Sequence, residues 1–146
     1  MTTTWISEDG EPVSKKISIS GWVLVFIRGC AILLVILIGL VLKFLLRFFE
    51  KPLFGDRRPA TPFITVLVSK ISLYLLSIRV KRLGTPLERP GALVANHSSW
   101  LDIFALNSCQ RLYFVSKSEV ARWPGIGLLA KATGTLFIRR EAKEAF

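Results

Sequence analysis

An apolar stretch near the N-terminus limits most strongly what this chain can fold into. Cys30 to Leu42 carries no charged side chain, and the wider segment from Trp22 to Leu42 contains a single charge, Arg28. About 20 such residues suffice to cross a bilayer as a helix. The run therefore predicts a membrane anchor, with Arg28 close enough to its start to reach the interface. A signal peptide and a buried core helix are the alternatives, but no small-residue cleavage site follows the run.

Basic residues follow this run rather than precede it. Lysines and arginines at positions 43, 47, 51, 57 and 58 come after it, whereas only Lys15 and Lys16 come before it, among acidic residues. This bias predicts that everything after Leu42 lies on the cytoplasmic side. The net charge of +10 indicates an anionic partner, and 51% hydrophobic residues favour an anionic membrane surface. We expect no nucleic-acid partner, because the charge is interleaved with apolar segments rather than with an aromatic stacking surface.

The chain divides into five predicted segments. Residues 1–18 are a polar N-terminal segment, 19–50 a transmembrane or membrane-embedded helix, and 51–62 a basic, proline-rich linker. Over 63–78 apolar residues recur at helical spacing, which predicts an amphipathic interfacial helix. An ordinary amphipathic core helix is the alternative for this segment. Residues 79–146 remain for the start of a further domain.

Short strand and helix patterns alternate in that last segment. The strand patterns cover Ile78 to Leu83, Ala92 to Ala95, Leu112 to Ser116 and Thr135 to Ile138. The helix patterns cover Trp100 to Asn107, Ser118 to Arg122 and Ile126 to Thr133. This alternation predicts an α/β fold, with a mixed sheet flanked by helices.

The one histidine of the chain, His97, precedes Asp102 by five positions. Five residues turn a regular helix by about 140° away from one face, so the two can meet only if His97 precedes the helix that contains Asp102. The carboxylate would then hold one imidazole nitrogen and leave the other free as a base. Ser99-x-x-Asp102 also fits a capping box, with Ser98 or Ser99 as the N-cap, and in that alternative His97 is a bystander.

Cations follow two of the predicted strands. Lys117, Arg139 and Arg140 lie close to strand ends, where α/β folds often bind phosphate, and the planar arginine fork suits that anion. A solvated basic edge is the alternative. Cys30 lies inside the apolar run and Cys109 lies far from it, so we expect no disulfide framework. Two cysteines and one histidine placed in this way do not suggest a zinc site. We expect no metal and no cofactor.

Three motifs in order resemble the glycerolipid acyltransferases. They are Asn96-His97 followed by Asp102, then Pro124-x-Ile126-Gly127, and then Gly134-x-x-Phe137-Ile138-x-Arg140. The resemblance is closest to the bacterial 1-acylglycerol-3-phosphate O-acyltransferases and covers roughly residues 75–141. Residues 79–146 would then be the N-terminal part of an acyltransferase domain, on the cytoplasmic face of a bacterial inner membrane.

The resemblance implies acyl transfer to a lysophospholipid acceptor in phospholipid biosynthesis. His97 would be the general base on the free hydroxyl of 1-acylglycerol-3-phosphate, and Asp102 would orient it. The donor would be the thioester of acyl-CoA or of acyl-carrier protein. Arg140 would hold the acceptor's phosphate, with Lys117 in support. Gly134, Phe137 and Ile138 would shape that strand.

Members of the family carry a further Glu-Gly-Thr motif, and the sequence stops at Phe146 before it. The sequence therefore predicts a fragment or truncated product. Two alternatives to the leading function follow. The acceptor could be another lysolipid, such as lyso-ornithine lipid, or the chain could be an inactive, basic membrane-binding relic.

Overall fold

The computed structural model describes residues 17–85 and 91–139. These residues form four α-helices, one 3₁₀ helix and two short strands. In chain order they are α1 (Ile19–Phe54), α2 (Thr61–Leu75), α3 (Leu101–Cys109), β1 (Val115–Lys117), the 3₁₀ helix (Ser118–Arg122), α4 (Ile126–Thr133) and β2 (Leu136–Ile138).

Helix α1 is 36 residues long and begins where Ser18 accepts a hydrogen bond from the Gly21 N–H at 3.2 Å. It ends at Gly55, whose positive φ stops the helix. Most of its apolar side chains are exposed, and its most apolar window has a mean hydropathy of 2.9. Among the described residues it is the one helix long and apolar enough to cross a membrane. A helix is thus present where the transmembrane helix is predicted, and it continues four residues beyond the predicted end at residue 50, while its crossing of a membrane stays a prediction.

Helix α2 folds back against α1 to make a helical hairpin. A Cβ added at Gly39 of α1 would overlap the Val68 side chain of α2, so the glycine permits this close approach. At the connected end of the hairpin, the Glu50 carboxylate accepts hydrogen bonds from the backbone N–H groups of Ala60 and Thr61, at 2.6 and 3.0 Å. A side chain of α1 therefore caps the start of α2. Helix α2 covers most of the predicted segment 63–78 and ends at Leu75, while its place in the membrane interface stays a prediction.

The strands β1 and β2 pair in parallel, with Val115 opposite Leu136 and Lys117 opposite Ile138. The 3₁₀ helix and α4 form the crossover between them, as a parallel pair requires. Helix α4 lies so close to the 3₁₀ helix that a Cβ at Gly127 would overlap the Ala121 carbonyl. The described sheet is parallel and two-stranded, which is smaller than the predicted mixed sheet.

Two predicted strands are wrong. Neither Ile78 to Leu83 nor Ala92 to Ala95 forms a ladder within residues 17–85 and 91–139, and Val94 is 99% exposed. An apolar run becomes a buried strand only where a neighbouring strand supplies hydrogen-bond partners, and no described segment does so here. The other predicted elements agree within a few residues, and α4 agrees in full at Ile126–Thr133.

Candidate functional site

The turn that leads into α3 brings His97 and Asp102 together. Asp102 lies in the first turn of α3, and His97 lies four residues before that helix begins. The imidazole Nδ1 is 3.1 Å from the Asp102 Oδ2. The side chain of His97 is 63% exposed and that of Asp102 is 30% exposed. The predicted arrangement, with the histidine before the helix and the carboxylate inside it, is therefore present.

The same Asp102 oxygen also fixes the backbone of this turn. Oδ2 accepts hydrogen bonds from the N–H groups of Ser98 and Ser99, each at 2.9 Å. The contact from Ser99 to Asp102 is one half of a capping box. The Ser99 hydroxyl accepts from the Leu101 N–H at 3.2 Å, so Ser99 contributes to the helix start as well. The two readings of Asp102, as a helix cap and as the partner of His97, hold together in one geometry.

These contacts determine the charge of the carboxyl group. The backbone N–H of Ser99, and next that of Ser98, hold the pKa of Asp102 below its usual range, against a smaller opposing effect of burial. The hydrogen bond and charge of His97 act in the same direction. Asp102 is therefore ionised at neutral pH and can only accept a hydrogen bond. His97 must then carry its proton on Nδ1, which leaves the lone pair of Nε2 available to take a proton.

A second group of predicted residues gathers at the end of the parallel strands. Lys117 is the last residue of β1 and lies opposite Ile138, the last residue of β2. Both side chains are exposed, whereas Phe137 is half-buried on the other face of the strand. Ligands of α/β proteins bind at the carboxyl ends of strands, so this edge is suited to an anion.

Gly134 turns the chain from α4 into β2. Its φ of 80° is in the left-handed region, and its N–H returns to the carbonyl of Lys131 at 3.1 Å. The N–H of Thr135 returns to the carbonyl of Ala130 at 3.0 Å, which completes a Schellman motif. Any side chain at position 134 would be strained, so this glycine is needed for the turn itself.

Arg140 lies outside the described residues, while Arg139 is exposed directly after β2. Helix α3 packs mainly against α2, and the sheet packs against the 3₁₀ helix. Over residues 17–85 and 91–139, no hydrogen bond or ion pair joins the His97–Asp102 pair to the strand ends. In the described residues, the His97–Asp102 pair and the residues at the strand ends therefore form two separate groups.

An open cavity of about 430 Å³ lies at the other end of α3. It includes neither His97 nor Asp102. The residues that line it combine apolar side chains with two cations: Lys70, Leu73, Tyr74, Ile78, Val80, Arg82, Ser108 and Cys109.

The turn before α3 and the strand ends both lie within one region that matches a known protein family. The model of the Acyltransferase family matches residues 77–145, a range that contains His97, Asp102, Lys117 and the motif from Gly134 to Arg140. Residues 77–145 are thus similar to the Acyltransferase family. The resemblance found in the motifs is thereby confirmed.

Curated proteins similar to this chain are named as acyltransferases of lysolipids. The lyso-ornithine lipid O-acyltransferase of Rhodobacter capsulatus is 49% identical over 97% of this chain and 51% of the relative. That of Rhizobium meliloti is 43% identical over 51% of this chain and 26% of the relative. The 1-acyl-sn-glycerol-3-phosphate acyltransferase of Neisseria gonorrhoeae is 40% identical over 53% of this chain and 31% of the relative. The chain spans about half the length of the first relative and less of the other two. No solved structure matches the chain.

Proposed function

We propose that this chain belongs to an enzyme that moves a fatty acyl group from a thioester donor to the free hydroxyl of a lysolipid. The observation that carries the proposal is the His97–Asp102 pair, in which an ionised carboxylate accepts from Nδ1 at 3.1 Å and leaves Nε2 free. A base of this kind requires a fixed tautomer and an accessible nitrogen, and the exposed His97 offers both.

In the proposed reaction, Nε2 of His97 takes the proton of the acceptor hydroxyl as its oxygen attacks the thioester carbonyl carbon. The new C–O bond forms, the C–S bond breaks, and the leaving thiolate receives that proton from the imidazolium, which restores the neutral histidine. Asp102 stays ionised and stabilises the positive imidazole during the transfer. The transfer is direct, so no acyl-enzyme forms. A positioned general base typically contributes about 10² to 10⁴ in rate.

We propose lyso-ornithine lipid as the acceptor, in preference to the 1-acylglycerol-3-phosphate that the motifs first suggest. The support is the 49% identity to the Rhodobacter capsulatus enzyme, which extends over 97% of this chain and so includes α1 and α2. The similarity to the Neisseria gonorrhoeae enzyme, named for the phosphate acceptor, covers 53% of the chain.

The cations at the strand ends suit either acceptor. An arginine fork binds a carboxylate or a phosphate through two parallel hydrogen bonds. Ornithine is an amino acid with a carboxylate, so Arg140 can take the same role toward that headgroup as toward a phosphate. In this proposal Lys117 adds positive charge, while Gly134, Phe137 and Ile138 fix the course of β2.

We further propose that α1 anchors the enzyme in the membrane, that α2 lies in the interface, and that the domain from residue 79 works on the cytoplasmic face. Arg57, which is exposed just after α1, would contact anionic lipid headgroups. Acyl-CoA and acyl-carrier protein both fit as donors, since each presents a thioester.

The test of this function uses the complete gene product in isolated membranes. Transfer of labelled acyl groups is measured with lyso-ornithine lipid and with 1-acylglycerol-3-phosphate, each with both thioester donors. We expect transfer to lyso-ornithine lipid and its loss in His97→Ala, with membrane recovery of the protein unchanged. Transfer to 1-acylglycerol-3-phosphate alone would refute the acceptor assignment, and transfer to neither would refute the function.

Arg140 has a matched control in its neighbour Arg139. Both follow β2, and adjacent residues of an extended chain point to opposite faces, so we propose that one of the two faces the acceptor. We expect Arg140→Ala to raise the KM for the acceptor much more than that for the donor, and Arg140→Lys to recover part of the loss. Arg139→Ala should change little. Equal, small effects would place the headgroup elsewhere, with Lys117 as the next candidate.

A further inference from the structure

Two cations from the helical hairpin meet at the C-terminal end of α4. The ammonium of Lys43, in α1, lies 3.3 Å from the carbonyl oxygen of Ala132. The guanidinium of Arg58, in the connection between α1 and α2, lies 3.4 Å from the same oxygen. This carbonyl belongs to the last turn of α4, two residues before Gly134.

The carbonyl of Ala132 is one that the helix end leaves for an outside donor. The N–H groups of Gly134 and Thr135 return to Lys131 and Ala130 and satisfy those two carbonyls. The C-terminal end of a helix also carries partial negative charge, which favours nearby cations. Lys43 and Arg58 thus occupy the position at which a cation stabilises α4 most.

The burial of Lys43 points to a specific role. It is 6% exposed, although α1 is otherwise mostly exposed. Among residues 17–85 and 91–139, neither Lys43 nor Arg58 has a carboxylate within salt-bridge distance. An ammonium buried in this way is costly unless it is hydrogen-bonded, and its described partner is the carbonyl of α4.

The segment that carries Arg58 is itself held firmly to α1. The Arg47 guanidinium donates to the carbonyls of Gly55 and Arg57, each at 2.8 Å. Glu50, with 5% exposure, accepts from the Ala60 and Thr61 N–H groups on the other side of Arg58. The buried positions of α1 are Gly39, Lys43 and Glu50, which share one helix face. That face therefore contacts α2, the connection and α4 together.

Arg58 also packs directly on the turn that begins β2. A Cβ built on Gly134 would lie 2.9 Å from the Arg58 guanidinium and 3.0 Å from the Tyr113 ring. The turn is thus held between a cation of the hairpin and an aromatic ring of the domain. A shift of the hairpin would move this turn and the strand that follows it.

We propose that Lys43 and Arg58 are positioning residues that fix β2 relative to the membrane hairpin. This proposal rests on the proposed function, in which the end of β2 binds the acceptor headgroup. A lipid acceptor presents its headgroup at a set depth in the membrane. The two cations hold the headgroup-binding strand at the matching height.

The first test measures hydrogen exchange of residues 126–138 in the membrane-bound protein. Lys43→Met and Arg58→Gln should each raise exchange of the Gly134 and Thr135 amides modestly, because the remaining cation still binds Ala132. The double variant should raise it by about tenfold or more. Lys43→Arg keeps a cation at this position, so its Gly134 and Thr135 amides should be as protected from exchange as those of the wild type. Lys51→Met is the matched control, since Lys51 is an exposed lysine of the same helix, and should change nothing. Exchange that is unchanged in the double variant, or equal in the Lys51 control, would overturn the proposal.

The second test uses acyl transfer by the complete gene product. The double variant should raise the KM for the lysolipid acceptor several-fold, while the KM for the thioester donor stays unchanged. If the double variant shows faster exchange but an unchanged KM for the acceptor, the contact only stabilises the fold. That result would overturn the positioning role. If Lys43→Met fails to accumulate, the half-exposed Arg58→Gln carries both measurements. If the wild type transfers no acyl group, the proposed function and the role of the two cations in acceptor binding are refuted. The exchange result still decides whether the contact holds β2.

Discussion

Replacing Asp102 by asparagine separates the two roles that this one side chain combines. In the wild type, Oδ2 accepts three hydrogen bonds, from the N–H groups of Ser98 and Ser99 and from Nδ1 of His97. The asparagine carbonyl oxygen has nearly the same position and can still accept the two backbone bonds. The start of α3 should therefore persist in Asp102→Asn. The neutral amide cannot offset the charge of a protonated imidazole, so the base should fail.

The size of the effect follows from what is lost. If His97 is the base, the loss should approach the whole contribution of general-base catalysis, about 10² to 10⁴ in kcat. Asp102→Ala should lose this contribution and the cap as well, so its melting temperature should fall further than that of Asp102→Asn. His97→Ala should lose the rate and keep the cap, because the two backbone bonds do not involve the imidazole.

The assay combines initial rates of acyl transfer in membranes with thermal unfolding of the detergent-solubilised protein. The four proteins to compare are the wild type, His97→Ala, Asp102→Asn and Asp102→Ala. Near-normal turnover in Asp102→Asn, together with a lowered melting temperature, would refute the base-orienting role and leave Asp102 as a cap alone. Normal turnover in His97→Ala would refute the mechanism altogether.

Three further predictions concern the anchor, the hairpin and the helix cap. The expressed chain should remain in the membrane fraction after carbonate extraction, and recovery in the soluble fraction would contradict the anchor; removal of residues 1–62 should weaken the association only in part. Gly39→Val should destabilise the hairpin by about 1–3 kcal/mol through overlap with Val68, measured by unfolding in detergent, whereas Gly29→Val, with open space around it, should not. Because the folded-state pKa of Asp102 is depressed, its contribution to stability is present above about pH 4 and lost as pH falls through the lower folded value; the melting-temperature difference between wild type and Asp102→Ala should shrink accordingly.

Local patterns predicted the parts of this protein that local interactions determine. Helix α4 follows from its apolar spacing and from Gly134, and the His97–Asp102 contact follows from a helix start between the two residues. The strand predicted over Ala92 to Ala95 failed because its formation depends on a partner strand, which the pattern of one segment does not contain.

The contacts of Lys43, Glu50 and Arg58 were also missed. Lys43 bonds a carbonyl 89 positions away, and such pairing depends on how helices pack rather than on nearby sequence. One signal was available. Lys43 and Glu50 are charged residues seven positions apart in a largely apolar helix, and that spacing places them on one face. A shared polar face on a membrane helix indicates contact with protein rather than with lipid.

In the proposed membrane arrangement, the length of α1 links the height of the domain above the membrane to its rotation about the helix axis. Each residue of an α-helix adds about 1.5 Å of rise and about 100° of turn. One residue inserted between Leu42 and Lys43 would lift the domain slightly but rotate it by about 100°, which would carry Val68 of α2 away from Gly39. Seven inserted residues would add about 10 Å and return the domain to within about 20° of its first orientation. Evolution or design can therefore change the height of this domain only in steps close to whole helical turns.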